Sequence, residues 1–191
     1  MTDEPGRHFW YNDYNPQLLG LVLERVTGTR LATYLQASIW QPLGMEYDGF
    51  WNLDSPSSGM EMMEGGLSAR AIDFAKFGRL YLRKGNWEGQ TILPESWVVA
   101  STQETATPAK DYYPENYWVD FSKGGYYQYM WWGLRRGNGV GDYYAMGRNG
   151  QMIYVSPFRN LIVVRLGERG TNESTWYEAA YKFADRFAQE Q

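Results

Sequence analysis

The absence of several residue types and patterns from this 191-residue sequence excludes whole classes of function. There is no cysteine, which excludes disulfides, thiolate nucleophiles and cysteine-ligated metals. The only histidine, His8, rules out a histidine zinc site and leaves any Ser-His-Asp triad dependent on one residue. No run approaches the roughly 18 apolar residues of a transmembrane helix. We therefore expect no metal, no cofactor and no membrane span.

The sequence also lacks an excess of positive charge. Its formal net charge is −4, so it has no basic field that would attract a phosphate backbone, and we expect no nucleic-acid partner. The first ten residues show neither the basic nor the apolar region of a signal peptide. Apolar residues at 43% and charged residues at 21% are typical of a globular protein. We expect one domain over residues 1–191.

Aromatic residues are abundant, with nine tryptophans and sixteen tyrosines. Such side chains suit both ligand-facing clefts and hydrophobic cores, so core packing stays the alternative for every ring singled out below. A cluster of carboxylates, Asp54, Glu61 and Glu64, flanks Gly65-Gly66. Paired carboxylates can serve glycoside hydrolysis, but in a turn-rich stretch they favour a solvated loop edge.

The periodicity predicts helices in the first half of the chain and at its end, with strands between them. The predicted helices are a buried one from Asn15-Pro16 to Gly28, one over residues 31–40, one capped by Ser68 and ending at Lys84-Gly85, a short one opening at Pro94, and an amphipathic one over about 173–188. The predicted strands cover residues 127–134, 142–146, 151–156 and 161–166. Their short connections require antiparallel hairpins. Residues 103–127 form a long loop of a type that is often functional.

Six short motifs occur in a fixed order along the chain. They are Glu4-Pro5-Gly6 with Phe9-Trp10-Tyr11, Leu18-Leu19-Gly20 with Glu24-Arg25-Val26-Thr27-Gly28, Pro42-Leu43-Gly44-Met45, Gly65-Gly66-Leu67-Ser68 with Asp73-Phe74-Ala75-Lys76-Phe77-Gly78, Gly147-Arg148-Asn149-Gly150-Gln151, and Tyr154-Val155-Ser156-Pro157. Together they resemble the C-terminal two thirds of the serine β-lactamase-like family, which includes class C β-lactamases, D-peptidases, esterases and aminohexanoate-oligomer hydrolases.

The resemblance implies an α/β fold of the α+β type, in which helices flank an antiparallel sheet. It would be a β-lactamase/transpeptidase-like fold without its N-terminal strands and nucleophile helix. It also implies a bacterial protein, and leaves the compartment open between cytoplasm and periplasm.

Enzymes of this family combine three motifs: Ser-x-x-Lys, a Tyr-x-Asn or Ser-x-Asn element, and Lys-Thr-Gly on a strand. Tyr11-Asn12-Asp13 resembles the second motif, with Asp13 where asparagine is usual. The resemblance implies that Tyr11 relays a proton between nucleophile and leaving group. The alternative is a tyrosine packed at a helix entrance.

The third motif falls on Ala145-Met146-Gly147, where only the glycine matches the family. The missing cation disfavours penicillin-like substrates. The resemblance still implies that Gly147 lets the backbone approach a substrate and that the amide of Arg148 faces the oxyanion. The alternative for Gly147 is a plain hairpin glycine. We predict that the substrate-binding residues are Trp10, Trp131, Trp132, Tyr144 and Asn149.

The first motif is missing, because none of the five lysines has a serine three positions before it. Thr107-Pro108-Ala109-Lys110 matches only in spacing. We therefore expect the C-terminal part of a serine hydrolase for small ester or amide substrates, acting through an acyl-enzyme, inactive alone and completed by an N-terminal segment that carries the nucleophile. The alternatives are a non-catalytic ligand-binding or regulatory module that keeps the cleft, and a carbohydrate-binding protein.

Overall fold

The computed structural model describes residues 4, 7–104, 120, 124–137, 141–168 and 176–187. The chain separates into two compact units, and the division falls within a helix. We call Trp10–Lys76 the helical unit, and Met1–Phe9 together with Phe77–Gln191 the sheet unit. The expectation of a single domain stays a prediction.

The helical unit contains two helices, a short hairpin and the first half of a third helix. Its elements are α1 (Tyr14–Thr27), α2 (Leu31–Leu35), which continues as a π-helical turn over Gln36–Trp40, β1 (Phe50–Trp51), β2 (Leu67–Ser68) and the start of α3 (Ala71–Leu82). β1 and β2 pair antiparallel. The predicted helix over residues 31–40 is therefore helical throughout, with its second half widened.

Helix α1 confirms one predicted boundary and corrects another. It ends at Gly28, which adopts φ 64° and donates its N–H to the carbonyl of Glu24 at 2.8 Å, as a left-handed C-terminal glycine should. It begins at Tyr14 rather than after Asn15, because the Asn12 side chain accepts the Tyr14 N–H at 2.7 Å. The expectation that α1 is buried is wrong, since Gly20 is its only buried residue.

The sheet unit holds five antiparallel strands in sequential order, together with α4, α5, the second half of α3 and a small hairpin. Its elements are β3 (Asn86–Trp87), β4 (Gln90–Thr91), α4 (Glu95–Thr102), β5 (Gly125–Gln128), β6 (Trp131–Leu134), β7 (Asp142–Gly147), β8 (Gln151–Ser156), β9 (Leu161–Arg165) and α5 (Trp176–Phe187). The antiparallel prediction is confirmed. Within the described residues β9 pairs with β8 alone and forms one edge of the sheet.

The single strand predicted over residues 127–134 is wrong. Tyr129 and Met130 adopt φ 43° and 71° and form a two-residue turn between β5 and β6. Tight hairpins need such backbone angles, which glycine, asparagine and aspartate adopt most readily. Because Tyr129 and Met130 carry none of the usual turn signals, the pattern could not reveal this turn.

Side chains alternate between the two faces of the sheet, and each face packs against helices. One face places Trp131, Tyr143 and Val155 against Tyr81 of α3 and Val98 of α4. On the other face Tyr144 stacks on Tyr177 of α5, with ring centroids 5.2 Å apart. The sheet unit is therefore a sheet with helices on both faces, and the predicted fold class is confirmed.

Several predicted features lie outside the described residues. They are Thr107-Pro108-Ala109-Lys110, most of the loop over 103–127 and both ends of the helix predicted over 173–188. Among the helices that the structure does describe, none has the length and apolar character needed to cross a membrane.

Candidate active site

The predicted catalytic tyrosine lies at the entrance of α1. Tyr11 is half-buried two residues before the exposed Asp13 that precedes the helix. The side-chain oxygen of Asn12, which lies between them in sequence, accepts the backbone N–H of Tyr14, the first helical residue. The backbone N–H of Gln17 donates to the carbonyl of Asp13 at 3.4 Å. The positive end of the helix dipole lies at this loop and stabilises nearby negative charge. Trp10, 80% exposed, leaves its ring open to a ligand.

Helix α1 is fixed within its unit by polar and small residues. The amide side chain of Gln17 donates to the carbonyl of Glu61 at 3.0 Å and accepts the N–H of Met63 at 2.7 Å. One turn later, a Cβ atom on Gly20 would lie 3.0 Å from both Leu31 and Met63. The glycine of the Leu18-Leu19-Gly20 motif therefore permits close packing of α1.

Glu61 is a structural residue that the sequence analysis misread as part of a solvated loop edge. It is buried, and its carboxylate accepts bonds from Arg30 at 2.9 Å and from the N–H of Ala32 at 3.3 Å. Glu24 accepts the N–H of Leu31 at 3.3 Å. Both carboxylates lie at the start of α2, where its unpaired N–H groups favour negative charge. No sequence signal separated Glu61 from its neighbours.

The second predicted cluster is the turn between β7 and β8. Gly147 ends β7 with an extended backbone, φ −125°. A Cβ atom there would contact only Gln151, at 3.7 Å, within the described residues. Within the described residues, neither the backbone angle nor crowding requires a glycine at this position. Arg148 follows and is exposed.

Arg165 holds this turn in place, a role that sequence reasoning missed. Its Nη1 atom donates to the carbonyls of Asn149 and Gly150, each at 2.8 Å, while its guanidinium stacks on Trp176 at 3.9 Å. Asn149 adopts φ 63°, and a Cβ atom on Gly150 would come within 2.7 Å of Trp176. Arg165 is the last residue of β9, and no feature of the sequence indicated that its side chain bonds to the turn between β7 and β8.

Three of the predicted substrate-binding rings lie in the core instead. Trp131, Trp132 and Tyr144 are 5%, 1% and 0% exposed. Trp131 packs on Tyr81 at 4.7 Å and Trp132 on Tyr127 at 4.6 Å, while Tyr144 stacks on Tyr177. Their burial fits the alternative of core packing, and their role in substrate binding stays a prediction. Burial raises the pKa of the Tyr144 phenol above the ordinary value.

A buried ion pair lies within the same sheet. Asp142 accepts bonds from Arg136 Nε at 2.7 Å, from Ser156 Oγ at 2.7 Å and from the hydroxyl of Tyr154. Burial lowers the pKa of Arg136, but the hydrogen bond and charge of Asp142 outweigh it and leave a net rise. Burial and the charge of Asp142 raise the pKa of Tyr154. The carboxylate therefore links the segment that follows β6, through Arg136, to β8, through Tyr154 and Ser156.

The structure thus groups the predicted residues in two places. Tyr11 and Asp13 share the α1 entrance in the helical unit, with Trp10 beside them. Gly147, Arg148 and Asn149 share one turn in the sheet unit. The functional roles of these residues stay predictions.

Comparisons with known proteins connect these observations to a family. The chain is 28% identical over 162 residues to the 6-aminohexanoate-dimer hydrolase of Paenarthrobacter ureafaciens, covering 83% of this chain and 38% of that protein. A Bacillus anthracis structure provisionally assigned as a 6-aminohexanoate-dimer hydrolase superposes with a TM-score of 0.80 at 26% identity, covering 98% of this chain and 46% of that one. The chain therefore spans less than half the length of these relatives.

A penicillin binding protein from Bacillus halodurans shares the fold, with a TM-score of 0.69 at 20% identity over 96% of this chain and 59% of that one. The family match itself covers residues 1–184 and carries the description Beta-lactamase. The chain therefore belongs to the beta-lactamase family, whose hydrolase members support a function of the serine-hydrolase type.

Proposed function

We propose that this chain forms part of a serine hydrolase that cleaves ester or amide bonds through an acyl-enzyme. The proposal depends on one observation, the position of Tyr11 in a Tyr-x-Asp motif at the entrance of α1 in a member of this family. The helix start is built by Asn12, and the helix is fastened by Gln17. A half-buried phenol at such a fixed entrance suits a proton relay.

The chemistry divides into two acyl transfers. A serine Oγ attacks the substrate carbonyl carbon, its proton passes to Tyr11, and Tyr11 gives a proton to the departing alcohol or amine. Water then attacks the acyl-serine, which releases the acid and restores the serine. In the sheet unit we assign the N–H of Arg148 as an oxyanion donor, as the resemblance implies, and we assign Gly147 to backbone contact with the substrate.

The substrate class follows from what the third motif lacks. Ala145-Met146-Gly147 provides no cation to hold the carboxylate of a penicillin-like substrate, so a neutral ester or amide fits better. The P. ureafaciens relative is named for hydrolysis of a 6-aminohexanoate dimer, and two amino acids joined in a dimer are linked through an amide. Trp10 and Asn149 are the remaining candidates for substrate contact.

The nucleophile has to come from a Ser-x-x-Lys motif that this sequence lacks. We propose a complementary segment that carries it, and we expect the chain alone to be inactive because an activated nucleophile and its positioning supply most of the rate. Purified alone, the chain should not hydrolyse p-nitrophenyl butyrate above background. A serine-directed phosphonate should leave its mass unchanged. Stoichiometric labelling of a serine would contradict this.

The decisive experiment supplies the portion of the P. ureafaciens hydrolase that lies outside the match, and measures hydrolysis of p-nitrophenyl butyrate. Once activity appears, Tyr11→Phe should lower kcat by about 100-fold or more, the usual scale for a lost acid–base group. Asp13→Asn is the matched control at the same helix entrance. It should lower kcat little, because it restores the residue usual in the family. Equal losses in both variants would contradict the role of Tyr11.

No observation favours the binding-module alternatives. The comparisons point to hydrolases, and three of the aromatic rings predicted to bind a ligand are buried.

A further inference from the structure

The turn between β5 and β6 has a backbone conformation that its residue types do not favour. Tyr129 and Met130 both adopt left-handed φ angles, 43° and 71°. Residues with a Cβ atom are strained in that region, and a two-residue turn with positive φ at both positions normally carries asparagine, aspartate or glycine. Backbone strain of this kind clusters at functional sites. The side chains of Tyr129 and Met130 are therefore candidates for a role beyond the folding of the hairpin.

These two side chains belong to an exposed apolar patch. Tyr129 is 60% exposed and Met130 is 41% exposed. The ring of Tyr129 contacts that of Trp97 on α4, with centroids 5.3 Å apart, and Trp97 is itself 43% exposed. We call Trp97, Tyr129 and Met130 the β5–β6 cluster. Aromatic rings and methionine are typical of the apolar walls of small-molecule sites.

The register of the sheet places this cluster next to the turn that follows Gly147. β6 pairs antiparallel with β7, and Trp132 lies opposite Tyr144. The start of β6, and the turn before it, therefore lie at the end of the sheet where β7 ends at Gly147. Neighbouring strands are about 4.8 Å apart, so the two turns are neighbours at that end. A ligand that extends from Gly147 across the start of β6 reaches the cluster.

We propose that the β5–β6 cluster is a binding subsite for the apolar acyl chain of the substrate, and that it makes the hydrolase prefer hexanoyl over acetyl substrates. This inference rests on the proposed function for the reaction at the neighbouring turn. The cluster consists of uncharged side chains, so its ligand is the uncharged part of a substrate, and burial of that part drives binding. The strained turn then serves to present Tyr129 and Met130 at this end of the sheet.

The test measures binding to the chain alone and therefore does not require hydrolysis. The probe is hexanamide, a neutral amide with an apolar chain, and acetamide is its short control. Binding is followed by the NMR shifts of the indole N–H of Trp97 and the backbone N–H groups of Tyr129 and Met130. We expect hexanamide to shift these signals and to bind at least about tenfold more tightly than acetamide, because its longer chain buries more apolar surface.

A double variant separates the role of the side chains from that of the turn. Tyr129→Asn with Met130→Gly gives the turn the residues that its backbone favours and removes two members of the cluster. We expect Tm to rise by about 2–4 °C, because the strain is relieved. The affinity for hexanamide should fall at least about tenfold.

Phe158→Asn is the matched control. Phe158 is 55% exposed and lies in the turn between β8 and β9, at the opposite end of the sheet from Gly147. The variant removes an exposed ring from a hairpin turn and should leave hexanamide binding unchanged.

Three results would overturn the inference. One is equal affinity for hexanamide in the double variant and the unaltered chain, and another is an equal loss in Phe158→Asn. The third is a lower Tm in the double variant, because Tyr129 and Met130 would then serve folding stability.

A hydrolysis assay distinguishes this inference from the proposed function. It uses p-nitrophenyl hexanoate and the added portion of the P. ureafaciens hydrolase. Hexanamide binding at the cluster without any ester hydrolysis would leave the subsite standing and refute the hydrolase. Hydrolysis with the same KM in the double variant and the unaltered chain would do the reverse.

Discussion

Replacing Arg136 with methionine should leave the carboxylate of Asp142 as an unpaired charge in the core of the sheet unit. Asp142 has no exposed surface, and its carboxylate is neutralised by Arg136. After Arg136→Met, the hydroxyls of Tyr154 and Ser156 are the donors that remain to it among the described residues. Removing one partner of a buried pair typically costs about 3–5 kcal/mol, because an uncompensated charge remains.

The lower end of that range fits this site. The two hydroxyls remain as donors, and methionine keeps part of the aliphatic stem of the arginine in place. Against this, Arg136 also pairs with Asp185 and lies over the ring of Tyr181 at 3.9 Å, and these contacts to α5 are lost as well. We expect the free energy of unfolding to fall by about 3 kcal/mol, or roughly 6–12 °C in Tm for a chain of this length.

The neighbouring arginine provides a matched control. Arg135 is bonded to Glu104, but its side chain is 47% exposed, whereas that of Arg136 is 7% exposed. Arg135→Met removes the same group at the neighbouring position, where it belongs to a partly solvated pair. It should lower the free energy of unfolding by at most about 1 kcal/mol. Urea unfolding followed by tryptophan fluorescence measures both variants.

A double variant tests the cause of the loss. Arg136→Met with Asp142→Asn removes the stranded charge, so it should recover more than half of the stability lost in Arg136→Met alone. If Arg136→Met cost no more than Arg135→Met, or if the double variant were less stable than the single one, the account of a buried compensated charge would be refuted.

Two further predictions follow from burial and from the sheet edge. Burial raises the pKa values of Tyr143, Tyr144 and Tyr154. Above about pH 10 the unfolded chain therefore releases phenol protons that the folded chain keeps. The free energy of unfolding should then fall by up to about 1.4 kcal/mol per pH unit for each tyrosine. Urea unfolding from pH 8 to 11 checks this, with Tyr154→Phe giving a shallower fall; constant stability across that range would contradict it. Within the described residues β9 is an apolar, β-branched edge strand, so the chain alone should self-associate, and Val163→Lys should reduce this at some cost to the core. Light scattering after size-exclusion chromatography decides, and a monomer at every concentration would show that the edge is covered.

Much of the local structure could be predicted because short-range chemistry determines it. Gly28 ended α1 as predicted, since only a residue that tolerates a left-handed backbone closes a helix in this way. Pro94 opened α4, and the short connections between the predicted strands indicated an antiparallel sheet. The order of the short motifs predicted the family, which the match over residues 1–184 confirms, while the role of the motif that begins with Tyr11 stays a prediction.

Burial was decided by tertiary structure alone. The pattern of α1 is that of a buried helix, and nothing in it indicates that Gln17 and Gly20 face inward while Leu18 and Leu19 face out. Trp131 and Trp132 look equally suited to a cleft or a core until neighbouring rings enclose them. The carboxylate of Glu61 accepts hydrogen bonds from residues 31 and 29 positions earlier, and Arg165 donates to carbonyls 16 and 15 positions earlier. The local sequence determines which backbone conformations are low in free energy, but which side of a helix or strand is buried depends on segments far along the chain.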